Sequence, residues 1–324
     1  MRDRPSRPSV RSAVALAAGL GLAAGLAAPS RLTARTQADE RQAPDIVFPS
    51  KLEEVHLTVT VRDSSGRFVS DLSQEDFTVI ENGRPQEVQV FGRAFDPGQE
   101  EVLSLDLGLL MDTSASMLQQ LRLSQEAAVR FLESIPRARE LVTIFFDDDI
   151  RLSRYNSENQ QGLFERIAEA KGGGNTALYD AISVYLSRVQ DGQGRKVMVL
   201  FTDGEDSRSA LGLGDILQLI RGSRVTMYPI AFTSGFAPGS ARALRSKSVL
   251  EQMAELTGGQ VFSPRSSKDL AAIYTRILQE LRAQYVLGYV SDDRARDGKF
   301  RRVKVNVSNK TLRVRHRAGY FAPS

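Results

Sequence analysis

No cysteine occurs among the 324 residues. Disulfide frameworks, thiolate zinc sites, iron–sulfur clusters and cysteine nucleophiles are therefore excluded. Histidine is nearly as scarce, with only His56 and His316, which removes the paired-histidine zinc hydrolases and leaves a Ser-His-Asp triad little to draw on. A single long apolar run is present, from Ala13 to Ala28, and none follows it. What remains is ordinary in composition, 41% hydrophobic and 25% charged, so wholesale disorder is excluded. The length predicts about two domains with a core large enough to do without cross-links.

The net charge of +4, from 43 Lys and Arg against 39 Asp and Glu, suggests nucleic acid until it is located. Arg2, Arg4, Arg7 and Arg11 stand against Asp3 in residues 1–28, which leaves 39 bases against 38 acids in the rest. A basic balance made by a leader says little about partners, and no nucleic-acid ligand is expected. The basic stretch and the apolar run ending at Ala28 read as a signal peptide, since a bilayer span needs about 20 apolar residues. Gly25 and Ala27 offer one cleavage site, Thr36 and Ala38 a later one. The expected mature chain is secreted or periplasmic with no transmembrane segment, an uncleaved anchor being the alternative. Residues 29–50 read as a linker.

Residues 51–93 alternate with period two through Leu57, Val59 and Val61. Phe77 to Glu81 then leads through Asn82-Gly83 into Val88 to Phe91, the pattern of a hairpin. From residue 102 to 283 the character changes to apolar strands alternating with amphipathic helices. Strands are expected at Val102–Met111, Leu141–Phe146, Ile150–Tyr155, Val197–Phe201 and Val225–Phe232, with a last short one at Gln260–Ser263. Helices are expected from Met117 to Ile135, about Thr176 to Val189, around Ile216–Ile220, from Ser248 to Leu256, and along Leu270, Ile273, Tyr274, Ile277, Leu278 and Leu281. This alternation predicts an α/β fold with a doubly wound, mostly parallel sheet. Residues 284–324 return to period two, and neither β segment has enough strands to stand alone. The expectation is a smaller β domain in which 284–324 pairs with 51–93, the α/β domain being inserted between them. No repeat of fixed period is found.

Three elements of the α/β region carry chemistry: Asp112-Thr-Ser114-Ala-Ser116 after the first strand, Gly172-Gly-Gly-Asn-Thr176 before a helix, and Thr202-Asp203-Gly204 after the Val197 strand. Singly, each has a plain explanation as a helix cap or a turn. Together they supply three hydroxyls and two carboxylates, the all-oxygen set that a hard divalent cation requires. In open α/β sheets, ligands lie beyond the carboxyl ends of strands where the winding reverses.

In these motifs the chain resembles the von Willebrand factor type A domains, whose metal-ion-dependent adhesion site reads Asp-x-Ser-x-Ser, then Thr, then Asp. The resemblance covers about Val102 to Ala283. It implies that Ser114 and Ser116 ligate a metal ion directly, that Thr176 does so directly or through water, and that Asp112 and Asp203 act mostly through bound waters. The ion implied is Mg2+, with Mn2+ or Ca2+ as alternatives. Glu75-Asp76-Phe77 and Gly319-Tyr320-Phe321 are similar to segments that recur in a group of bacterial proteins predicted to be secreted. The chain departs from some animal members in lacking a terminal disulfide.

Other charged groups read as solvated. Asp147-Asp148-Asp149 reads as a strand end, Glu205 and Asp206 as loop residues, and Asp292, Asp293 and Asp297 as a hairpin loop without EF-hand spacing. Arg302 and Lys304 on one strand face, and Arg313, Arg315 and Arg317 on another, read as edge-protecting charge. Gly172-Gly173-Gly174 lacks the Lys-Ser/Thr of a phosphate-binding loop. The expected function is an exported, cation-dependent module that captures an Asp or Glu side chain of a partner protein through its metal, without enzymatic activity. The competing reading is a metal-dependent phosphohydrolase; against its phosphoaspartyl form, Ser114 stands where a second acid is needed.

Overall fold

The computed structural model describes residues 54–93, 105–135, 138–156, 159–189, 194–232, 239–264 and 266–324, all within the unit Ser50–Ser324. The expected signal peptide and linker lie outside the described residues. In chain order the first strands are β1 (Glu54–Arg62), β2 (Phe77–Glu81), β3 (Arg84–Gln86) and β4 (Val90–Arg93). The α/β region follows with β5 (Leu105–Asp112), α1 (Leu118–Ser134), β6 (Glu140–Phe146), β7 (Ile150–Tyr155), α2 (Gln160–Glu169), α3 (Leu178–Arg188) and β8 (Arg195–Thr202). It continues through α4 (Leu213–Gly222), β9 (Val225–Ala231), α5 (Ala241–Leu256) and α6 (Ser267–Ala283). The chain closes with β10 (Tyr285–Val290), β11 (Phe300–Val307), β12 (Arg313–Arg315) and β13 (Gly319–Phe321).

The central sheet runs β7-β6-β5-β8-β9, parallel except for β7, which pairs antiparallel with β6. Every residue of β5, β8 and β9 is buried because helices cover both faces, which is why these strands read as continuous apolar runs. Leu105, Leu107, Leu109 and Met111 of β5 pack with Phe131 of α1, Ile167 of α2 and Ile277 of α6. Leu110, on the opposite face, packs with Ile182 of α3, Ile220 of α4 and Met253 of α5. Gly108 lies on that second face, where a Cβ would stand 2.2 Å from the Tyr185 ring. The glycine is thus a requirement of packing against α3.

From β5 the chain winds outward to β6 and β7, then crosses back to β8 and β9. The switch point of this doubly wound sheet therefore lies between β5 and β8. Asp112 ends one of these strands and Asp203 follows the other.

Two four-stranded antiparallel sheets complete the structure, in the orders β12-β1-β10-β4 and β13-β11-β2-β3. Each contains strands from before and after the α/β region. β1 pairs with β10 in the register Leu57↔Leu287, and β2 pairs with β11 in the register Val79↔Val305. Between them lies a core of Val55, Leu57, Val59, Phe77, Val79, Tyr285, Leu287, Val303 and Val305. Tyr285 is ringed by Phe77 and Phe91 at centroid distances of 5.0 and 5.9 Å.

Several expected elements are corrected. Asn82-Gly83 does turn the chain, but β2 returns into Arg84–Gln86; Val90–Arg93 joins β10 in the other sheet. The expected strand at Gln260–Ser263 is a single bridge, Phe262 to Ile230. The helix expected from Ser248 begins at Ala241, where Ser240 caps it by accepting from the Ala243 N–H, and α2 was not expected at all. The basic face of Arg313, Arg315 and Arg317 is also not solvated throughout. Arg317 is buried, and Arg315 donates to the Gly258 carbonyl and Gln260 Oε1, both at 2.7 Å, and to Glu280.

Candidate metal centre

The strand pairing carries β5 and β8 in step, Met111 level with Phe201, so Asp112 and Thr202 are the next pair of neighbours. The Thr202 hydroxyl donates to Asp112 Oδ2 at 2.7 Å, and the Gly204 N–H donates to that hydroxyl at 3.0 Å. Asp112 Oδ1 accepts the Ser114 N–H at 3.0 Å. These bonds hold a carboxylate that is only 1% exposed. A one-residue slip would turn Asp112 to the opposite face of the sheet.

Ser114 opens the 3₁₀ turn Ala115–Met117 without capping it by its side chain; its hydroxyl instead lies 3.1 Å from that of Ser116. Ser116 in turn hydrogen-bonds Asp203. Thr176 is likewise not a cap, because Ala177 occupies that position of α3. Its backbone is held by the Ser207 hydroxyl, which accepts the Thr176 N–H at 3.0 Å, and by the Ser207 N–H, which donates to its carbonyl at 2.9 Å.

The glycine loop docks onto the Asp112 segment through its backbone. The Gly173 N–H donates to the Thr113 carbonyl at 2.7 Å, and the Ala115 N–H donates to the Gly174 carbonyl at 3.1 Å. Gly174 has φ +76°, and a Cβ there would stand 2.1 Å from Asp148 Oδ2. Asp148 also accepts from the Asn175 amide at 2.9 Å and pairs with Arg208 at 3.3 Å. Asp147 accepts from the Thr113 hydroxyl at 2.8 Å and pairs with Arg151 at 2.6 Å. These two aspartates, expected to be only a solvated strand end, thus brace the two motif loops.

The structure brings Asp112, Ser114, Ser116 and Asp203 into one hydrogen-bonded group. Thr176 lines with Ser116 and Gly204 a cleft of about 790 Å³, whose far wall is Arg242, Arg245, Ser246 and Val249 of α5. Glu205 pairs with Arg242 across its rim. Desolvation lifts the Asp112 carboxyl up to about 7, and nearby Asp203 adds to the rise. Asp203 is also raised, again first by burial, with Glu205 adding to it and Arg242 opposing. Two buried carboxylates, both raised by desolvation and one raised further by the other, are relieved by a cation between them. Among the described residues no three His, Cys, Asp or Glu side chains converge as a metal cluster. The donor set here differs in kind, two carboxylates with three hydroxyls, all oxygen, which fits a hard divalent ion and does not fit zinc.

Sequence reasoning missed Thr202 as the partner of Asp112 and Ser207 as the support of Thr176. The first was legible only once the register of β5 and β8 was known; the second carries no sequence signal.

Residues 107–205 match the family model for the von Willebrand factor type A domain, a span that contains all five of these residues. The α/β part of the chain is von Willebrand factor type A-like in fold. No curated protein matches the chain. Among solved structures, it is similar to a von Willebrand factor type A protein from Catenulispora acidiphila, with TM-score 0.48 and 13% identity over 76% of this chain and 73% of that one. The pilus adhesin SpaC from Lactobacillus rhamnosus GG gives TM-score 0.46 and 10% identity over 81% of this chain and 49% of that one. An aerotolerance-related membrane protein from Bacteroides fragilis gives TM-score 0.44 and 16% identity over 55% and 98%. Among the described residues no helix is long and apolar enough to cross a membrane.

Proposed function

We propose that the chain is an exported, divalent-cation-dependent protein-binding module of the adhesion type, with Mg2+ as the resident ion and Mn2+ or Ca2+ as alternatives. The observation that carries this reading is the oxygen-donor group at the switch point, in which the Ser114 and Thr176 hydroxyls are not spent on helix caps. In this reading Ser114, Ser116 and Thr176 hold the ion, while Asp112 and Asp203 orient its waters and balance part of its charge. When bound, the ion offers an open coordination position to a carboxylate from outside.

The chain's own residues favour capture over turnover. Hydroxyl donors are neutral and leave the site short of negative charge, so an incoming Asp or Glu adds the missing charge in a partly desolvated contact. Histidine is the side chain that most often acts as the general base of a hydrolysis, and neither histidine is at the site. His56 of β1 pairs with Glu54 at 3.1 Å, and His316, just after β12, accepts from the Val305 N–H at 3.0 Å. The match to a von Willebrand factor type A domain is consistent with an interaction module. Export rests on the basic, apolar leader of residues 1–28.

The test is calorimetric titration with Mg2+, Mn2+ and Ca2+, followed by capture of partners from the exported fraction with and without EDTA. One metal site is expected, lost in Asp112→Ala and Ser114→Ala, with capture abolished by EDTA. Unchanged metal affinity in Asp112→Ala, or capture that survives EDTA, overturns the reading. Turnover of a phosphate ester that depends on Ser114 would favour the phosphohydrolase alternative.

A further inference from the structure

At the other end of the central sheet, arginines crowd together without enough acids to balance them. Glu280, on the last turns of α6, is fully buried. It accepts from Arg62 Nη2 of β1 at 2.7 Å, from Tyr228 OH of β9 at 2.7 Å, and from Arg315 of β12. One carboxylate thus serves two guanidinium groups. Above it opens a recess of about 400 Å³ lined by Arg62, Arg315, Arg276 of α6 and Arg313 of β12, with Thr60, Ser64 and Ser65. Among the described residues neither Arg276 nor Arg313 forms an ion pair. The other acid of the recess, Asp63, is already taken by Arg67 at 2.9 Å.

The crowding is felt within the group. Burial lowers the Arg62 guanidinium from its usual range, Glu280 opposes this, and Arg315 and Arg276 lower it further. Arg62 Nε is buried with no hydrogen-bond partner among the described residues, while its planar face lies 4.5 Å from the Phe68 ring centroid. A second recess of about 730 Å³ adjoins the first across Ser65, Gly66 and Arg276, and adds Arg67 and Arg282 to the same surface.

We infer that this recess is an anion site for a phosphate-type oxyanion, either free or carried as a phosphomonoester on a small molecule. Guanidinium groups arrive from three separate elements, β1, α6 and β12. A phosphoryl group offers three or more acceptor oxygens and up to two negative charges to donors that converge from several directions, where a carboxylate offers two oxygens and one charge. The two arginines held from behind by Glu280 are pre-oriented, so little side-chain freedom is lost when the anion binds. The recess is at the low end of the size range for small-molecule sites, which leaves room for an organic group beside the phosphoryl oxygens. The site shares no lining residue with the candidate metal centre and does not depend on it.

The experiment uses the full chain with inorganic phosphate, glucose 6-phosphate and acetate as probes, each against chloride at equal ionic strength. Calorimetric titration and thermal melting read the result. Phosphate and the phosphomonoester should bind and raise the melting temperature, and acetate should do neither. Tighter binding of glucose 6-phosphate than of phosphate would identify an ester as the ligand; equal binding would identify the free ion. Arg276→Gln and Arg313→Gln change exposed side chains that form no ion pair among the described residues. Each should weaken phosphate binding about tenfold while leaving stability in chloride unchanged or raised, because like-charge repulsion is relieved. The inference is overturned if phosphate has no effect beyond that of chloride, or if the double variant, folded by circular dichroism, binds phosphate as the parent does.

Discussion

Asp112 is a carboxylate held out of water beside a second one, Asp203, and its titration gives the candidate metal centre a testable signature. Its pKa rises from 3.8 to about 7 in the metal-free fold, chiefly by desolvation. The native state therefore binds more protons than the unfolded chain between about pH 4 and pH 7, and metal-free stability should fall as pH rises through that window. A cation needs both carboxylates ionised, so its affinity should fall as pH drops below about 7, the opposite slope. Calorimetry at about pH 6.5 in buffers of different ionisation enthalpy should show protons released on Mg2+ binding. Asp112→Asn should reduce both that release and the metal-free slope, leaving only the share that the raised Asp203 carboxyl contributes. Affinity that stays constant from about pH 5 to about pH 8 would remove Asp112 from the site. The donor types were legible in the sequence because hydroxyls and carboxylates stood together at strand ends and before a helix. Their supports were not, since Thr202 and Ser207 reach them only through strand register and loop packing.

Among the elements, the glycine loop is the one whose constraint bears on the candidate metal centre. Gly174 combines φ +76° with a position where a Cβ would meet Asp148, and its carbonyl accepts the Ala115 N–H beside Ser114 and Ser116. Gly174→Ala should cost about 1–3 kcal/mol of stability by urea unfolding and should weaken metal binding, because the Asp148 brace must move. Stability and affinity both unchanged would mean that the loop does not position the hydroxyls. The same scale explains what could be read beforehand. β5, β8 and β9 were legible because covering both faces of a parallel sheet demands unbroken apolar runs. α2 escaped because it contributes little beyond Leu163 and Ile167 to the core, too few for a periodic stripe. The first two turns of α5 are mostly exposed and show no stripe either. Asn82-Gly83 marked where the chain reverses but not which strand receives it, and the three-residue return through Pro85 leaves Val90–Arg93 free to pair with β10.

For the whole molecule, the question is what makes the flanking sheets and the α/β region act together. Period two told that Arg315 shares a face, but not that the face points inward. That depends on a glutamate 35 residues away, on a helix whose apolar stripe gave no hint of a buried charge. Glu280 joins β1, β12, β9 and α6, and the Tyr228 hydroxyl it receives also accepts from Gln284 Nε2 at 3.1 Å. Gln284 in turn accepts from Arg195 at 2.9 Å, so the network reaches the first residue of β8. Removing a buried partner leaves the opposing charges uncompensated, a loss of about 3–5 kcal/mol, whereas the pair itself adds little over an apolar replacement. Glu280→Ala should therefore destabilise by about that amount in urea, and Glu280→Gln, which keeps an acceptor, by less. Because the strands around the α/β region come from both ends of the described chain, the parent should unfold in one transition. Loosening the seam at Glu280 should let the antiparallel sheets exchange their amide hydrogens ahead of the central one. Hydrogen exchange read strand by strand checks this. If β1 and β10 in Glu280→Ala stay protected as long as β5 and β8, the coupling runs through the remaining contacts of β1 with α6 and not through the buried charge.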